Sequence, residues 1–451
     1  MIMTVTRKKG AYPMHKIVTK FGGSSLADAG HFRRVREILE ADPARIYVVP
    51  SAPGKRFDGD SKVTDLLYQC HRLASLGQDF SGPFDQLSER YRSIHRELEL
   101  TMDLESELEQ IRQKIADGCD SDWCASRGEY LNGRLLADYL SWRFMDAAKV
   151  VFFKQDGTFD SEKTNVVMMA LLADGIPSVV PGFYGVRADG SIHTFSRGGS
   201  DITGAIVSRA VKADAYENWT DVSGFLMADP RIVESPREIS QITYAELREL
   251  SYMGATVLHE DAMFPVHKVG IPTIIRNTNH PDHPGTLISL SLPVEPSVPT
   301  ITGIAGRKGF SVVAVEKAMM NTELGFGRKI LQIFEEAGIS FEHMPSGIDS
   351  LSVVVAGDAL APHREEIVRR IAELAEPDSL TIHDNMSIIA TVGRGMVSNC
   401  GTAARLFSSM SRAGINVRMI DQGSSELSII VGVDDADFER TIQAIYREFV
   451  G

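Results

Sequence analysis

Residues 15–25 read HKIVTKFGGSS, in which a short apolar stretch runs directly into two glycines. This pattern predicts a buried β-strand over residues 15–20, followed by a tight turn into a helix. Such a junction offers free backbone N–H groups and the positive end of the helix dipole to an anion. Lys20 adds a positive charge that suits a transferring phosphate. The alternative is a tight βα turn with an exposed lysine, since the P-loop pattern GxxxxGK[ST] is absent.

Strand and helix patterns alternate downstream of this junction. Residues 28–40 and 127–146 show helical apolar spacing, residues 85–117 suit an exposed helical hairpin, and residues 46–49 and 151–153 read as strands. This alternation predicts an α/β fold with three layers, αβα, around a mainly parallel sheet. The prolines of SLPVEPSVPT, residues 291–300, then predict a linker.

The remaining residues contain an internal repeat, which appears when the chain is shifted by 76 positions so that residue 310 lies over residue 386. The matching segments are FSVVAV (310–315) with MSIIAT (386–391), AGIS (337–340) with AGIN (413–416), and SLSVVV (350–355) with ELSIIV (426–431). Each copy reads strand, helix, strand, strand, helix, which is most of a ferredoxin-like βαββαβ module.

The two copies differ in their last strand. The first copy ends with SLTIHD, residues 379–384, whereas the second has little sequence after its last helix near 435–448. An unpaired sheet position would leave backbone donors and acceptors exposed along an edge. Residues 299–306, PTITGIAG, have a similar pattern and precede the first copy. We therefore expect these residues to complete the second module, so that the two modules are interleaved.

The composition excludes several classes of protein. The 451 residues carry a formal charge of −13, which disfavours binding to nucleic acid or to an anionic membrane. We find no run of about 18 apolar residues, so no membrane-spanning helix is expected. The four cysteines are too scattered for a disulfide framework or a zinc site. The first 13 residues lack the apolar core of a secretory signal, so a cytoplasmic location is expected.

Three further motifs carry residue types suited to chemistry. SRGGSD, residues 196–201, joins an arginine suited to a carboxylate with glycines at a predicted helix start. WTDVSGFLMADPR, residues 219–231, follows a predicted strand, where parallel sheets bind ligands. Glu129, in SRGEYL, suits a substrate ammonium. The alternatives are a glycine-rich turn, a surface loop and a carboxylate that complements a helix dipole.

The order of these motifs resembles a known family. KFGGSS, SRGEYL, SRGGSD, WTDVSGFLMADPRIV and MGATVLH, followed by the tandem repeat, resemble the aspartokinases of the amino acid kinase superfamily. The repeat resembles the paired ACT domains that bind regulatory amino acids. The resemblance covers residues 15–451. It implies a kinase domain at 14–298, a first ACT domain at 307–384, and a second ACT domain made of 299–306 and 385–451.

This resemblance implies an activity and its partners. The expected reaction is ATP-dependent phosphorylation of the β-carboxylate of L-aspartate to 4-phospho-L-aspartate, the committed step towards lysine, threonine and methionine. ATP is expected with Mg²⁺, and an end-product amino acid, lysine, is the expected inhibitor. The family also implies a homodimer or homotetramer formed through the ACT domains. Neither a nucleic acid nor a membrane is an expected partner.

The resemblance also assigns residues to roles, with Lys20 stabilising the transferred phosphoryl group and Asp201 orienting Lys20. The implied aspartate-binding residues are Ser51, Thr64, Glu129, Arg197, Gly198, Gly199 and Ser200. The implied nucleotide-binding residues are Lys20, Phe21, Gly22, Gly23, Thr220, Asp221, Leu226, Arg231 and Thr256. No protein ligand for a metal is implied. Many relatives have tyrosine where Leu226 stands and lysine where Thr256 stands, which puts the nucleotide affinity in question.

The two ACT copies differ where a ligand ammonium is read, because Glu342 of the first aligns with Arg418 of the second. An acidic residue at this position contacts lysine in lysine-inhibited relatives. The implied lysine-binding residues are Met320, Gly325, Phe341, Glu342 and Ser346. Two other functions stay open, a non-catalytic amino-acid sensor and a kinase for another small acid. The retained Lys20, Glu129, Arg197 and Asp201 favour an active enzyme over the sensor.

Overall fold

The computed structural model describes residues 15–196, 198–254, 264–292 and 299–451. The chain forms two compact units, one made of Met1–Phe225 with Leu258–Ser291 and the other of Leu226–Val257 with Leu292–Gly451. The second unit thus includes a segment, Leu226–Val257, that lies inside the kinase limits expected from the sequence. Those domain limits stay a prediction.

Strands and helices alternate along most of the chain. In chain order the strands are β1 (Ile17–Phe21), β2 (Arg45–Pro50), β3 (Arg143–Phe144), β4 (Ser178–Val179), β5 (Tyr184–Val186), β6 (Ile192–Thr194), β7 (Ala215–Thr220), β8 (Phe225–Leu226), β9 (Glu238–Ile239), β10 (Gln241–Thr243), β11 (Thr273–Asn277), β12 (Thr286–Ser289), β13 (Gly303–Glu316), β14 (Phe341–His343), β15 (Ser350–Ala356), β16 (Ser379–Val392), β17 (Met419–Asp421) and β18 (Ser428–Asp434). The α-helices are α1 (Ala29–Glu40), α2 (Val63–Ser75), α3 (Ser81–Glu97), α4 (Leu104–Ala116), α5 (Ser121–Leu140), α6 (Ser161–Leu171), α7 (Gly199–Val211), α8 (Tyr244–Tyr252), α9 (Phe264–His267), α10 (Phe326–Glu336), α11 (Gly357–Leu360), α12 (Arg364–Ala375), α13 (Thr402–Arg412) and α14 (Phe438–Phe449).

The first unit is built on a mainly parallel sheet, as the sequence predicts. Strand β1 lies between β2 and β7 and runs parallel to both. Strand β11 extends the sheet in parallel beyond β7, and β12 then pairs with β11 in the antiparallel sense. On the other side β2 pairs with β4, and β4 with β3. The carboxyl ends of β1, β2, β7 and β11 therefore meet at one edge of the sheet, where parallel sheets bind ligands.

Helices α1 to α5 bury an apolar core against this sheet. The predicted hairpin over residues 85–117 exists as α3 and α4, but it is not fully exposed. Leu87, Ile94 and Ile111 are buried in the core because every third or fourth residue of these helices faces inward. The apolar run at residues 151–153 does not extend into a strand, and it makes isolated bridges instead.

The second unit confirms the expected interleaved fold class. Strands β13 and β16 pair in the antiparallel sense from Gly303 to Glu316, with register shifts between Arg307 and Val312. Strand β15 pairs with residues 310–316 of β13, whereas β18 pairs with residues 386–392 of β16. Residues 303–307 pair with residues 388–392, so the start of β13 completes the sheet of the second repeat. The edge strands are β14 beside β15 and β17 beside β18.

Helix α8 is fixed to the repeats by one buried carboxylate. Glu246 and Thr243 form a capping box at the start of α8. Thr302 donates its hydroxyl to Glu246 Oε1 at 2.6 Å, and Arg394 Nη1 lies 3.0 Å from Oε2. Burial opposes ionisation of this group, but the hydrogen bonds from the Thr302 hydroxyl, the Arg394 backbone N–H and Thr243 outweigh it and lower the pKa of Glu246. This network explains why residues 226–257 group with the C-terminal unit.

We predict that Arg394→Met destabilises the packing of α8 by about 3 kcal/mol or more, because removing one partner leaves a buried charge uncompensated. Hydrogen exchange of the α8 amides measures this free energy of opening. The matched control is Arg418→Met, which removes an exposed ion pair with Asp434 and should cost less than about 1 kcal/mol. Equal losses in the two variants would contradict the role assigned to the Glu246–Arg394 pair.

Because the pKa of Glu246 is lowered from 4.5, the contribution of this carboxylate to stability is present above that pH. The contribution is lost as the pH falls through the lowered value.

Candidate functional site

The carboxyl-terminal edge of the first unit's sheet contains a buried ion pair. Lys20 lies at the end of β1, and Asp201 lies in the first turn of α7. Lys20 Nζ is 2.7 Å from Asp201 Oδ1, and the two side chains are 9% and 15% exposed. The structure thus brings together the two residues that the sequence assigned to catalysis. A lysine held by a carboxylate at this edge presents a fixed positive charge to an anion.

The turn after β1 is packed closely against the turn after β2. The N–H of Gly22 donates to the carbonyl of Trp219 at 3.0 Å, and the N–H of Gly54 donates to the carbonyl of Gly23 at 2.8 Å. A Cβ at Gly23 would lie 2.8 Å from the carbonyl oxygen of Ala52, so a side chain is excluded there. Phe21 also accepts, through its carbonyl, from the N–H of Ser51 at 3.1 Å. These contacts place residues 20–23 and 51–54 in one surface.

Glu129 is a buried carboxylate beside this surface. It lies on α5 and is 5% exposed, and its Oε2 has no hydrogen-bond partner among the residues that the structure describes. Burial raises the pKa of Glu129 to about 8, against the opposing effect of a hydrogen bond from the backbone of Ala52. A buried carboxylate with an unpaired oxygen fits a ligand that carries a positive charge.

Sequence reasoning missed a neighbour of Glu129 on α5. Asn132 is fully buried and donates its amide to the carbonyl of Ser51 at 2.6 Å. It therefore holds the backbone of the predicted substrate residue Ser51 against α5. The spacing of Glu129 and Asn132 by three residues places both on one face of the helix, and this is the signal that identifies Asn132.

The start of α7 forms a second glycine-rich surface. Gly198, with φ at 57°, precedes the helix, and a Cβ at Gly199 would lie 2.7 Å from the Phe183 ring. Ser200 is buried against Gly182. The free N–H groups of this helix start suit an anion. Arg197, which precedes them, lies outside the described residues.

The remaining predicted residues of the kinase site are brought together only in part. Thr220 ends β7 and is half-buried, and Asp221 beside it is exposed. Thr64 is half-buried in the first turn of α2. Leu226 and Arg231 belong to the second unit, where Leu226 lies on β8 and the exposed Arg231 pairs with Asp229 at 2.6 Å. Thr256 lies outside the described residues.

The predicted effector residues lie in the first repeat. Phe341 and Glu342 lie on β14, Gly325 precedes α10, Met320 is buried in the core of this repeat, and Ser346 bridges to Leu351. The Tyr252 hydroxyl of α8 lies near the Glu342 carboxylate. Burial, together with this carboxylate, raises the pKa of Tyr252 to about 12. At the equivalent position of the second repeat, Arg418 pairs with Asp434 at 2.9 Å.

Sequence reasoning also missed a contact between the two repeats. His343 follows Glu342 on β14, and its Nδ1 lies 3.0 Å from Asp421 Oδ2 on β17. The aligned sequences give no sign of it, because the two residues belong to edge strands of different copies. The predicted effector strand is thus in contact with the second repeat.

Across residues 15–196, 198–254, 264–292 and 299–451, no three His, Cys, Asp or Glu side chains gather into a group suited to a metal ion. Over the same residues, the helices are too short or too polar to cross a membrane.

The sequence and the structure are similar to those of characterised proteins. The profile of the amino acid kinase family matches residues 15–277, and that of the ACT domain matches residues 389–449. Aspartokinase 3 of Bacillus subtilis is 38% identical, with 96% of this chain and 98% of the relative covered. Chloroplastic aspartokinase 1 of Arabidopsis thaliana is 27% identical, with 96% of this chain and 80% of the relative covered.

Solved structures of aspartate kinases share this fold. Aspartate kinase of Clostridium acetobutylicum is 52% identical with a TM-score of 0.89, and the match covers 96% of this chain and all of the other. Aspartokinase III of Escherichia coli in complex with aspartate and ADP is 24% identical with a TM-score of 0.72, over 97% of this chain and 100% of the other. The chain therefore belongs to the aspartokinases of the amino acid kinase family and is an aspartate kinase.

Proposed function

We propose that the chain transfers the γ-phosphoryl group of ATP to the β-carboxylate of L-aspartate, giving 4-phospho-L-aspartate. This is the committed step towards lysine, threonine and methionine. The observation that carries the proposal is the buried Lys20–Asp201 ion pair at the carboxyl edge of the sheet, between two glycine-rich turns. The E. coli relative is described in complex with aspartate and ADP, which supports the same pair of ligands here.

The geometry suits phosphoryl transfer because that reaction depends mainly on positioning and on neutralising charge. Two anions, the γ-phosphate and the β-carboxylate, must approach each other in line. Lys20 supplies a positive charge that moves little, because Asp201 holds its ammonium at 2.7 Å. We assign the stabilisation of the transferred group to Lys20 and the orientation of Lys20 to Asp201.

The nucleotide is proposed to bind at the turn after β1 and the end of β7. Its contacts are assigned to Lys20, Phe21, Gly22, Gly23, Thr220, Asp221, Leu226, Arg231 and Thr256. The two glycines support this assignment, because they let the backbone N–H groups approach phosphate oxygens closely. We propose Mg²⁺ as the metal that accompanies ATP and neutralises its phosphates. It needs few protein ligands when phosphate oxygens and water supply the rest, so we assign none.

The aspartate substrate is proposed to bind between α5 and the start of α7. Glu129 receives its ammonium, which explains a buried carboxylate with an unpaired oxygen. Arg197 binds its α-carboxylate in the bidentate manner that a guanidinium allows. The other contacts are assigned to Ser51, Thr64, Gly198, Gly199 and Ser200.

Regulation is proposed to involve lysine bound at the first repeat. The E. coli relative is described in complex with lysine and aspartate in a T-state. In this chain Glu342 supplies an acidic group for the ligand ammonium, with Met320, Gly325, Phe341 and Ser346 beside it. The Tyr252 hydroxyl of α8 lies near Glu342, so this site is close to α8. We further propose a homodimer or homotetramer formed through the ACT domains.

The proposed reaction is tested by turnover with ATP and L-aspartate, compared with L-glutamate and N-acetylglutamate as acceptors. We expect L-aspartate to be phosphorylated with a kcat/KM at least about 100-fold above the others, because the carboxylate to be phosphorylated must lie in line with the phosphate. Preference for another acid would replace the proposed substrate. ATP binding without turnover of any acid would favour a sensor.

We predict that Lys20→Ala lowers kcat by about 100-fold or more, with smaller changes in the KM values, because a positioned charge acts mainly on the transition state. Steady-state kinetics measure this effect. The matched control is Lys16→Ala, which removes a lysine one residue before the same strand but away from its carboxyl end. A Lys20→Ala enzyme within about threefold of the wild-type kcat would refute the assignment.

We predict that Glu129→Gln raises the KM for aspartate and removes its pH dependence near pH 8. In the free protein Glu129 is protonated below its raised pKa of about 8, so binding an ammonium there must release a proton. The wild-type KM for aspartate should therefore fall as the pH rises towards 8. The control is Glu107→Gln, which removes a carboxylate of α4 that pairs with Arg134 of α5. The same pH dependence in Glu129→Gln and the wild type would exclude this role.

We predict that Glu342→Gln raises the lysine concentration needed for half-inhibition by about 10-fold or more, because it removes a charge-assisted hydrogen bond to the ligand. Activity without lysine should change little. Inhibition curves with lysine and with threonine measure this. Glu336→Gln, which removes an exposed carboxylate from the same repeat, should leave the curves unchanged. Inhibition by threonine with no lysine effect in the wild type would contradict the choice of effector.

A further inference from the structure

Asn218 has a buried side-chain amide near the carboxyl-terminal edge of the first unit's sheet, and no sequence motif identifies this residue. It lies on β7, is 3% exposed, and pairs in register with Lys20 of β1. Its Nδ2 donates to Asp201 Oδ1 at 2.7 Å. The same oxygen lies 2.7 Å from Lys20 Nζ. One carboxylate oxygen therefore binds a neutral donor and a charged donor from two neighbouring strands.

The strand β7 holds the start of α7 at two points. Tyr216, two residues before Asn218 and so on the same face of the strand, donates its hydroxyl to the carbonyl of Asp201 at 3.2 Å. A Cβ at Gly204 would lie 2.5 Å from this hydroxyl, so α7 fits closely over Tyr216. Tyr216 fixes the backbone of Asp201, and Asn218 fixes its carboxylate.

An amide suits this place for a chemical reason. Asn218 holds Asp201 without adding charge, so the carboxylate stays available to pair with the Lys20 ammonium. Asp201 Oδ2 forms no hydrogen bond with any residue of the described part of the chain. The carboxylate is thus held through Oδ1 alone. Asn218 is the second donor to this oxygen and restricts its movement, beside the contact with Lys20.

We propose that Asn218 is a positioning residue for phosphoryl transfer, which fixes Asp201 Oδ1 so that the Lys20 ammonium is held at the edge of the sheet. This proposal rests on the proposed roles of Lys20 and Asp201. Asn218 does not touch substrate, and it acts through the carboxylate. A displacement of about 1 Å at a reacting centre costs about 100-fold in rate, so the loss of this hydrogen bond should appear in kcat.

The first test is Asn218→Leu, which keeps the branching and the number of heavy atoms of the side chain and removes the donor. We expect kcat to fall about 10- to 100-fold while the KM values for ATP and aspartate change less than about threefold. The matched control is Asn277→Leu on the adjacent strand β11, where a buried amide donates to Ser223 and does not contact Asp201. A kcat within about twofold of the wild type, or an equal loss of kcat in Asn277→Leu, would overturn the proposal.

The second test is the pH dependence of kcat in Asn218→Asp. This variant still tests the proposal if Asn218→Leu does not fold. In this variant a protonated carboxyl group on β7 donates to Asp201 as the amide does, whereas an ionised one repels it. We therefore expect near-wild-type kcat at low pH and a new loss of kcat as the pH rises. If Asn218 were merely structural, the pH profile of kcat would show no new decrease at high pH. A profile without this decrease would overturn the proposal. Wild-type turnover with ATP and L-aspartate, measured in parallel, tests the proposed function separately.

Discussion

The site depends on one ion pair, between Lys20 at the end of β1 and Asp201 at the start of α7, whose side chains are 9% and 15% exposed. Burying two charges is unfavourable unless their geometry is fixed, so the surrounding fold must hold both. It does so by placing β1 between two parallel neighbours, β2 and β7, whose carboxyl ends meet at the same edge. Gly23 lets the adjoining turns approach each other, and Gly22 lies beside the ammonium, since a Cβ there would be 3.7 Å from Lys20 Nζ.

The regulatory half depends on a different buried charge. Glu246 connects α8 to Thr302, which immediately precedes β13, and to Arg394, which follows β16. At the end of the same helix, Tyr252 lies near Glu342 of the first repeat, and this carboxylate helps to raise the pKa of Tyr252. Helix α8 therefore contacts both repeats and belongs to the chain segment between β7 and β11, two adjacent strands of the kinase sheet.

The sequence allowed much of this architecture to be predicted, because local patterns suffice for strand-to-helix junctions and for a repeat. The Lys20 junction, the Asp201 helix start and the interleaved modules all follow from short motifs or from one fixed offset. The partners of these residues did not follow. Asn218, Asn132 and Arg394 contact their targets through strand register and helix packing, which bring together residues far apart in the chain. The hairpin over residues 85–117 was expected to be exposed, and this was wrong because one side of its helices packs into a core formed with residues far away in the chain.

The central claim is that Lys20 and Asp201 act as one unit in phosphoryl transfer, and a double-mutant cycle on kcat with Lys20→Ala and Asp201→Asn tests it most directly. If Asp201 acts by positioning Lys20, removing the carboxylate matters little once the ammonium is gone. The double variant should then be about as slow as Lys20→Ala alone. Two effects that multiply independently would contradict it.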